Sequence, residues 1–175
     1  VPVINGLSDW SHPCQALADM MTAREAFGPD LNGRVWTFVG DGNNVARSLA
    51  VLCGRMGITF RLAAPKGYEL TEDFLAQARR AAPGLKYELY EDPREAARGA
   101  NVLYTDTWIS MGQEAEREAR MQVFSRYQIN SELVGLGAED VIVMHCLPAY
   151  RGLEITDEVM DGHHSRVFGE AENRM

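Results

Sequence analysis

The apolar positions of this chain follow two alternating periods, and they parse it almost completely. From residue 12 to 27, Ala16, Met20, Ala23 and Phe27 recur at helical spacing with Leu17 and Met21 beside them, which predicts an amphipathic helix. Ser11 is placed to cap it, Pro13 sits in the first turn where its missing N–H costs little, and Gly28-Pro29-Asp30 ends it. A short apolar run at 35–39 predicts a strand. A tight turn, Gly40-Asp41-Gly42-Asn43-Asn44, then leads into Val45, Leu49, Leu52 and Met56, the stripe of a second helix. The same alternation continues with a strand at 60–64, a helix at 71–82 opened by Thr71 and stopped by Pro83-Gly84, and a strand at 86–90. Asp92-Pro93-Arg94-Glu95 starts a short helix, with an acidic cap and Pro at the first helical position. Further on, 101–105 predicts a strand, 113–126 a helix with Met121 and Phe124 on one side, 131–135 a short helix and 141–144 the most apolar strand. The pattern then weakens to a short helix at 156–160 and a strand remnant at 166–168.

Strands alternating with helices at this spacing predict βαβ units and hence a parallel sheet. The expected architecture is α/β, a Rossmann-like parallel sheet of about five strands with helices on both faces. Internal repeats, low-complexity segments and linkers are missing from the 175 residues, so one domain spanning 1–175 is expected.

Composition narrows the function classes. A hydrophobic share of 46% and a charged share of 24% are those of an ordinary soluble globular protein. Apolar runs fall well short of a membrane span, and the start lacks the basic and apolar regions of a secretory signal. The formal charge of −8 argues against a nucleic-acid or anionic-membrane surface. The three cysteines, 14, 53 and 146, give no disulfide framework, and a reducing cytoplasm is the expected compartment. The first residue is Val1, not Met, and Met175 follows a motif-like Glu-Asn-Arg, so a piece of a longer protein is expected.

Candidate chemistry gathers where strands end. The strand 101–105 stops at Asp106 and opens into Thr107-Trp108-Ile109-Ser110-Met111-Gly112. A carboxylate there sits at the carboxyl edge of the sheet, where open α/β sheets bind ligands; capping of the next helix is the alternative. Gly40-x-Gly42 invites a dinucleotide reading and fails it. Val45 occupies the third glycine position, and the second strand ends in Ala63-Ala64-Pro65 with no acid for a ribose hydroxyl. No nicotinamide cofactor is expected. Asn43 and Asn44 at a helix start can cap that helix or bind a carboxylate. His145 and Cys146 end the last strand, and neighbours in a strand point to opposite faces, so they make a poor pair for one metal or for a thiol–imidazole nucleophile. A buried, inert Cys146 is as good a reading. His12 and Gln15, three apart, share a helix face and could both donate to an anionic ligand, or His12 could be a capping residue only. An acid, an amide pair and a hydroxyl at one sheet edge suit a zwitterionic amino acid.

Five segments together resemble the ornithine branch of the aspartate/ornithine carbamoyltransferase family: His12-Pro13-Cys14-Gln15, Gly40-Asp-Gly-Asn-Asn44, Thr105-Asp-Thr-Trp-Ile-Ser-Met-Gly112, His145-Cys-Leu-Pro148 and Ala171-Glu-Asn-Arg174. They keep that family's order and approximate spacing across nearly the whole chain. His-Pro-x-Gln is shared with aspartate carbamoyltransferases, whereas Ser-Met-Gly and His-Cys-Leu-Pro point to ornithine. The resemblance implies transfer of a carbamoyl group from carbamoyl phosphate to the δ-amino group of ornithine, giving citrulline and phosphate, with no cofactor and no metal. It implies that Asn44, Asp106, Ser110 and Met111 hold the α-amino and carboxylate groups of ornithine. Cys146 and Leu147 would line the path of the δ-amine and border the carbamoyl phosphate, the Cys as an orienting group and not a covalent nucleophile. His12, Gln15 and Arg174 would hold the carbamoyl phosphate and polarise its carbonyl. In the family the loop carrying Ser-Met-Gly closes over the second substrate.

The family's Ser-x-Arg-Thr-Arg phosphate loop does not occur in these residues. The chain therefore resembles the ornithine-binding half without the carbamoyl-phosphate half, and is expected to be inactive alone. The complete protein is expected to be a homo-oligomer, a trimer or a multiple of trimers, serving arginine synthesis or citrulline breakdown. Rivals are a sister enzyme acting on putrescine or an acylated ornithine, and a non-catalytic amino-acid-binding domain.

Overall fold

The structure is a computed structural model that describes residues 1–109 and 116–175. Its described elements alternate as the apolar pattern predicts. Helix α1 (Pro13–Phe27) precedes strand β1 (Val35–Val39), α2 (Asn44–Met56), β2 (Thr59–Ala63), α3 (Glu72–Ala81) and β3 (Lys86–Tyr90). Then follow α4 (Pro93–Ala97), β4 (Val102–Thr105), α5 (Arg117–Phe124), α6 (Ser131–Val134), β5 (Ile142–His145), α7 (Asp157–Met160) and α8 (Val167–Glu172). The five strands form one sheet in the order β3-β2-β1-β4-β5, and every pairing is parallel.

Successive side chains point to opposite sides, and β1, β4 and β5 are buried on both, whereas the edge strand β3 stays largely exposed. Trp36, Phe38, Phe60, Leu62, Tyr104 and Met144 pack with α1, α2 and α3 on one face. Val39, Ala63, Leu103 and Val143 pack on the other, against Phe124, Tyr127 and Val159. The Phe38 and Tyr104 rings stack across β1 and β4 at 5.4 Å between centroids. At roughly 25 cal/mol per Å² of apolar area removed from water, these two layers supply the main stabilisation of the fold.

The strand order creates the site. The chain winds from β1 outward through β2 and β3, then returns to place β4 on the other side of β1. At such a switch point the loops leaving the two central strands diverge and open a crevice at their carboxyl ends. Here those loops are 40–43 after β1 and the segment from Asp106 after β4. The first is a close fit: a Cβ on Gly42 would lie 2.8 Å from the backbone of Glu69 and Leu70, so the turn can press against that segment only as glycine. Gly42 N–H donates to the Tyr68 carbonyl at 2.8 Å.

Three local expectations differ from the structure. Residues 166–168 form no strand: Arg166 N–H donates to the Val143 carbonyl, and Ser165 makes a single bridge there, before the backbone turns into α8. Val167 and Glu170, three apart, are both buried, which is helical spacing. The inward stripe of α5 is Arg120 and Phe124, with Met121 only half-buried. Finally His12, not Ser11, stands at the N-cap of α1, and its side chain makes no capping bond.

Candidate functional site

Asn43 and Asp106, from the two central loops, meet across the switch point. Asn43 does two things at once. Its Oδ1 caps α2 by accepting from Val45 N–H at 3.0 Å and Ala46 N–H at 3.1 Å, which leaves the amide nitrogen facing outward. That nitrogen donates to Asp106 Oδ2 at 2.7 Å. Asp106 Oδ1 accepts from Thr107 N–H at 2.7 Å and from the Cys146 thiol at 3.0 Å. The carboxylate is thus held by donors from three loops and remains half-exposed. Asn43 is the helix cap, and among the described residues the one backbone amide that Asp106 accepts from is that of Thr107; the helix start near Gly112 lies outside the described residues.

Asn44, the neighbouring amide, turns elsewhere. Its side-chain nitrogen donates to the Ser8 carbonyl at 2.8 Å and its Oδ1 accepts from Val45 N–H at 3.0 Å. Ser110 and Met111 lie outside the described residues.

Cys146 is a thiol and an acid's partner. Burial first, then the negative charge of Asp106, push its pKa well above that of an ordinary cysteine. A thiolate is therefore strongly disfavoured, which suits an orienting donor and not a nucleophile. His145 points to the opposite side of the sheet, where its side chain is fully buried with that of Glu154. Its Nδ1 accepts from Leu147 N–H at 2.9 Å and its Nε2 meets Glu154 Oε1 at 3.1 Å, so Nε2 carries the proton. Leu147 takes a left-handed φ of 56° and is followed by a cis bond to Pro148. Such a φ costs a branched residue on the order of 1–3 kcal/mol, and the His145 and Glu154 bonds hold it, Glu154 also accepting from Tyr150 N–H at 2.5 Å.

Despite strand alternation, the ligand atoms of Asp106, His145 and Cys146 lie within 4.8 Å of one another. Both ring nitrogens of His145 are already engaged, Nδ1 with Leu147 N–H and Nε2 with Glu154, so His145 has no free lone pair to give and this donor set does not fit a metal ion.

On the other wall, His12 is buried, with its backbone N–H donated to Ser48 Oγ at 2.8 Å and its ring Nδ1 without a partner. Burial, then the charge of Arg174, lowers its pKa, which keeps the ring neutral at pH 7. Gln15 is fully buried, and both N–H groups of its amide point inward, to Asp19 Oδ1 at 2.7 Å and Glu170 Oε1 at 2.8 Å. In the structure His12 and Gln15 thus share a face but not an outward donor role. Arg174, just past α8, is exposed and lines a depression of about 720 Å³ with Cys146 and Leu147. A cleft of about 790 Å³ opens beside it, lined by His12, Asn43, Asn44, Asp106, Cys146 and Leu147. Of the residues singled out in the sequence, His12, Asn44 and Asp106 line the cleft, Arg174 lines the depression, and Cys146 and Leu147 line both.

Sequence reasoning missed Arg120. Its guanidinium is buried, pairs with Asp41 in the β1 turn, donates through Nε to the Trp108 carbonyl at 2.6 Å and lies over the rings of Tyr68 and Phe124. It ties the segment after Asp106 to the loop after β1. Burial raises the pKa of Asp41 and the Arg120 contact opposes that rise. Its only signal in the sequence was the helical spacing of Arg120 to Phe124.

Residues 32–175 match the profile of the aspartate/ornithine carbamoyltransferase Asp/Orn-binding domain, and residues 1–25 match that of the carbamoyl-P binding domain of the same family. The whole chain is 53% identical to an ornithine carbamoyltransferase of Synechocystis and 54% identical to one of Methanosarcina acetivorans, covering 57% of each. Among solved structures, the ornithine carbamoyltransferase of Pyrococcus furiosus superposes with a TM-score of 0.92 at 50% identity, over 99% of this chain and 56% of that one. The enzyme from Gloeobacter violaceus superposes with a TM-score of 0.89 at 48% identity, over 99% and 58%. The chain thus spans little more than half the length of the relatives it matches.

Proposed function

Because this chain belongs to the aspartate/ornithine carbamoyltransferase family, we propose that it is the ornithine-binding part of a longer ornithine carbamoyltransferase. The reaction moves the carbamoyl group of carbamoyl phosphate to the δ-amino group of L-ornithine, giving L-citrulline and phosphate. The observation that carries this reading is Asp106. A half-exposed carboxylate, fixed by Asn43, Thr107 and Cys146 at the mouth of the switch-point cleft, is a ready partner for an ammonium.

In this reading Asp106 holds the α-ammonium, while Asn44, Ser110 and Met111 hold the α-carboxylate and close on the α-carbon. The Cys146 thiol and Leu147 line the route of the δ-amine. On the other side, neutral His12 and cationic Arg174 hold the carbamoyl phosphate and stabilise negative charge developing on its carbonyl oxygen, with Gln15, buried one turn further along α1, completing that side of the site. Catalysis is then positioning of two substrates plus electrostatic stabilisation, needing no cofactor. The intact protein would be a cytoplasmic homo-oligomer, a trimer or a multiple of trimers. Among the described residues no helix is long and apolar enough to cross a membrane, and the three cysteines are free.

The single-domain reading of 1–175 also stands as a proposal: residues 1–25 match the end of the carbamoyl-P binding profile, and the rest of that half, with the family's phosphate loop, would lie outside these residues. The expected result is that the intact protein forms citrulline from carbamoyl phosphate and ornithine, whereas the 175-residue chain alone forms none. Colorimetric citrulline measurement on both checks it, and turnover by the isolated chain would defeat the two-part account.

A further inference from the structure

Behind the site lie two fully buried acids that the roles above do not use, Asp19 on α1 and Glu170 on α8. They come from opposite ends of the chain and share one donor, the Gln15 amide, at 2.7 Å and 2.8 Å. Their remaining partners are unequal. Glu170 Oε1 also accepts from the Tyr104 hydroxyl at 3.2 Å, and Oε2 accepts from His145 N–H at 2.9 Å. Asp19 Oδ2 receives no donor, and its carboxyl instead meets that of Glu170.

Two carboxyl groups side by side in a dry interior do not both ionise. The one ringed by donors suits the negative charge, and the one with a bare oxygen suits the proton. Further groups face the pair from the elements packed on it: Cys53 from α2, Tyr104 from β4, and His145 and Cys146 at and after the end of β5. His145 favours the charge on Glu170, and none of the groups acting on Asp19 is a cation that would let it ionise beside Glu170. Burial, then the Glu170 charge, pushes the Asp19 carboxyl well above the usual range.

Each acid also sits one helical turn from a site residue. Asp19 follows Gln15 by four positions on α1, and Glu170 precedes Arg174 by four at the end of α8. The Glu170 bond to His145 N–H fixes the backbone next to Cys146. A second tie, from Asn173 to Thr22 and Glu25 at 2.9 and 2.8 Å, holds the same two helices together.

We propose that Asp19 and Glu170 are a positioning pair sharing one proton, Asp19 as the neutral member and Glu170 as the anion. The pair sets the register of His12 and Gln15 on α1, Cys146 after β5 and Arg174 after α8. What that register serves rests on the carbamoyltransferase reading; the existence of the pair does not. Because its folded pKa is raised, Asp19 contributes stability that is complete below its unfolded value and drains away as pH rises through the folded value.

The test compares Asp19→Asn and Glu170→Gln in the intact protein, by melting temperature against pH and by KM and kcat for carbamoyl phosphate. Asn mimics a protonated Asp19, so Asp19→Asn matches the wild-type melting temperature at acid pH, melts no lower than wild type at neutral pH, and loses less stability as pH rises. Glu170→Gln cannot accept from Gln15, Tyr104 and His145 at once. It raises KM by about tenfold or more, with a smaller change in kcat. Equal damage from the two variants at neutral pH, or an unchanged alkaline decline in Asp19→Asn, overturns the pair. If Glu170→Gln does not fold, the Asp19→Asn pH profile decides alone. If the wild-type protein makes no citrulline, the functional reading fails, while the melting comparison still judges the pair.

Discussion

An Asp106→Asn variant of the intact protein is expected to form citrulline with kcat/KM lowered about 100-fold or more. Two effects add. The amide cannot pair as an anion with the ornithine ammonium, and a charge-assisted bond of this kind is worth about 1.5–3 kcal/mol. The substitution also turns one N–H₂ toward a set of groups that are all donors: Asn43, Thr107 N–H and the Cys146 thiol. One of them must lose its acceptor or rotate away. Steady-state citrulline formation at varied ornithine measures the effect, and circular dichroism confirms that the fold is kept. Turnover within a fewfold of wild type would leave a non-catalytic amino-acid-binding domain as the better reading.

The second large effect is expected at Arg120. Arg120→Met keeps much of the aliphatic bulk over Tyr68 and Phe124 but removes the partner of Asp41 and the donor to the Trp108 carbonyl. Breaking a buried ion pair from one side costs about 3 kcal/mol or more, because the other charge stays behind without compensation. Asp41 retains some exposure, which places the expectation at the low end of that range. For a chain of this length the loss corresponds to a melting temperature lower by about 6–12 °C. Differential scanning calorimetry reads it directly, and a shift under 2 °C would show that the pair contributes little. Asp41→Asn in the same background should restore part of the loss, since a neutral side chain tolerates the missing cation.

The fold was legible because two periods, 3.6 and 2, alternate along the chain with Gly and Pro at their junctions. Five strands interleaved with helices leave few alternatives to a parallel sheet. The failures have one physical source. Residues 166–168 look like a strand, yet their contact with β5 is a single bridge, and what commits them to helix is the burial of Glu170 against partners far away in sequence. Arg120 sits in an Arg117-Glu118-Ala119-Arg120 run that reads as a solvated helix face, while its acid lies 79 positions earlier. Asp19 likewise looks like one polar residue on α1 until Glu170 is brought beside it. A buried charge is defined by its partner, and partners distant in sequence leave no local pattern.

The site itself was legible to the same depth. Asp106 at the end of β4 and His12 before α1 meet in the cleft, Arg174 lines the neighbouring depression, and Cys146 and Leu147 after β5 border both. Which of Asn43 and Asn44 faces Asp106 was not readable, because adjacent amides at a helix start differ only in which one the cap geometry selects. Nor was the inward turn of the Gln15 amide, since it depends on both acids behind it.

The central claim is that this cleft recognises the α-carbon groups of an amino acid and presents its distal amine for carbamoylation. Competition between L-ornithine and putrescine, which shares the distal amine but has no carboxylate, tests it in the intact protein with carbamoyl phosphate saturating. The account predicts citrulline as the dominant product at equal amine concentrations, with little carbamoylputrescine. Carbamoylputrescine in excess of citrulline would contradict it.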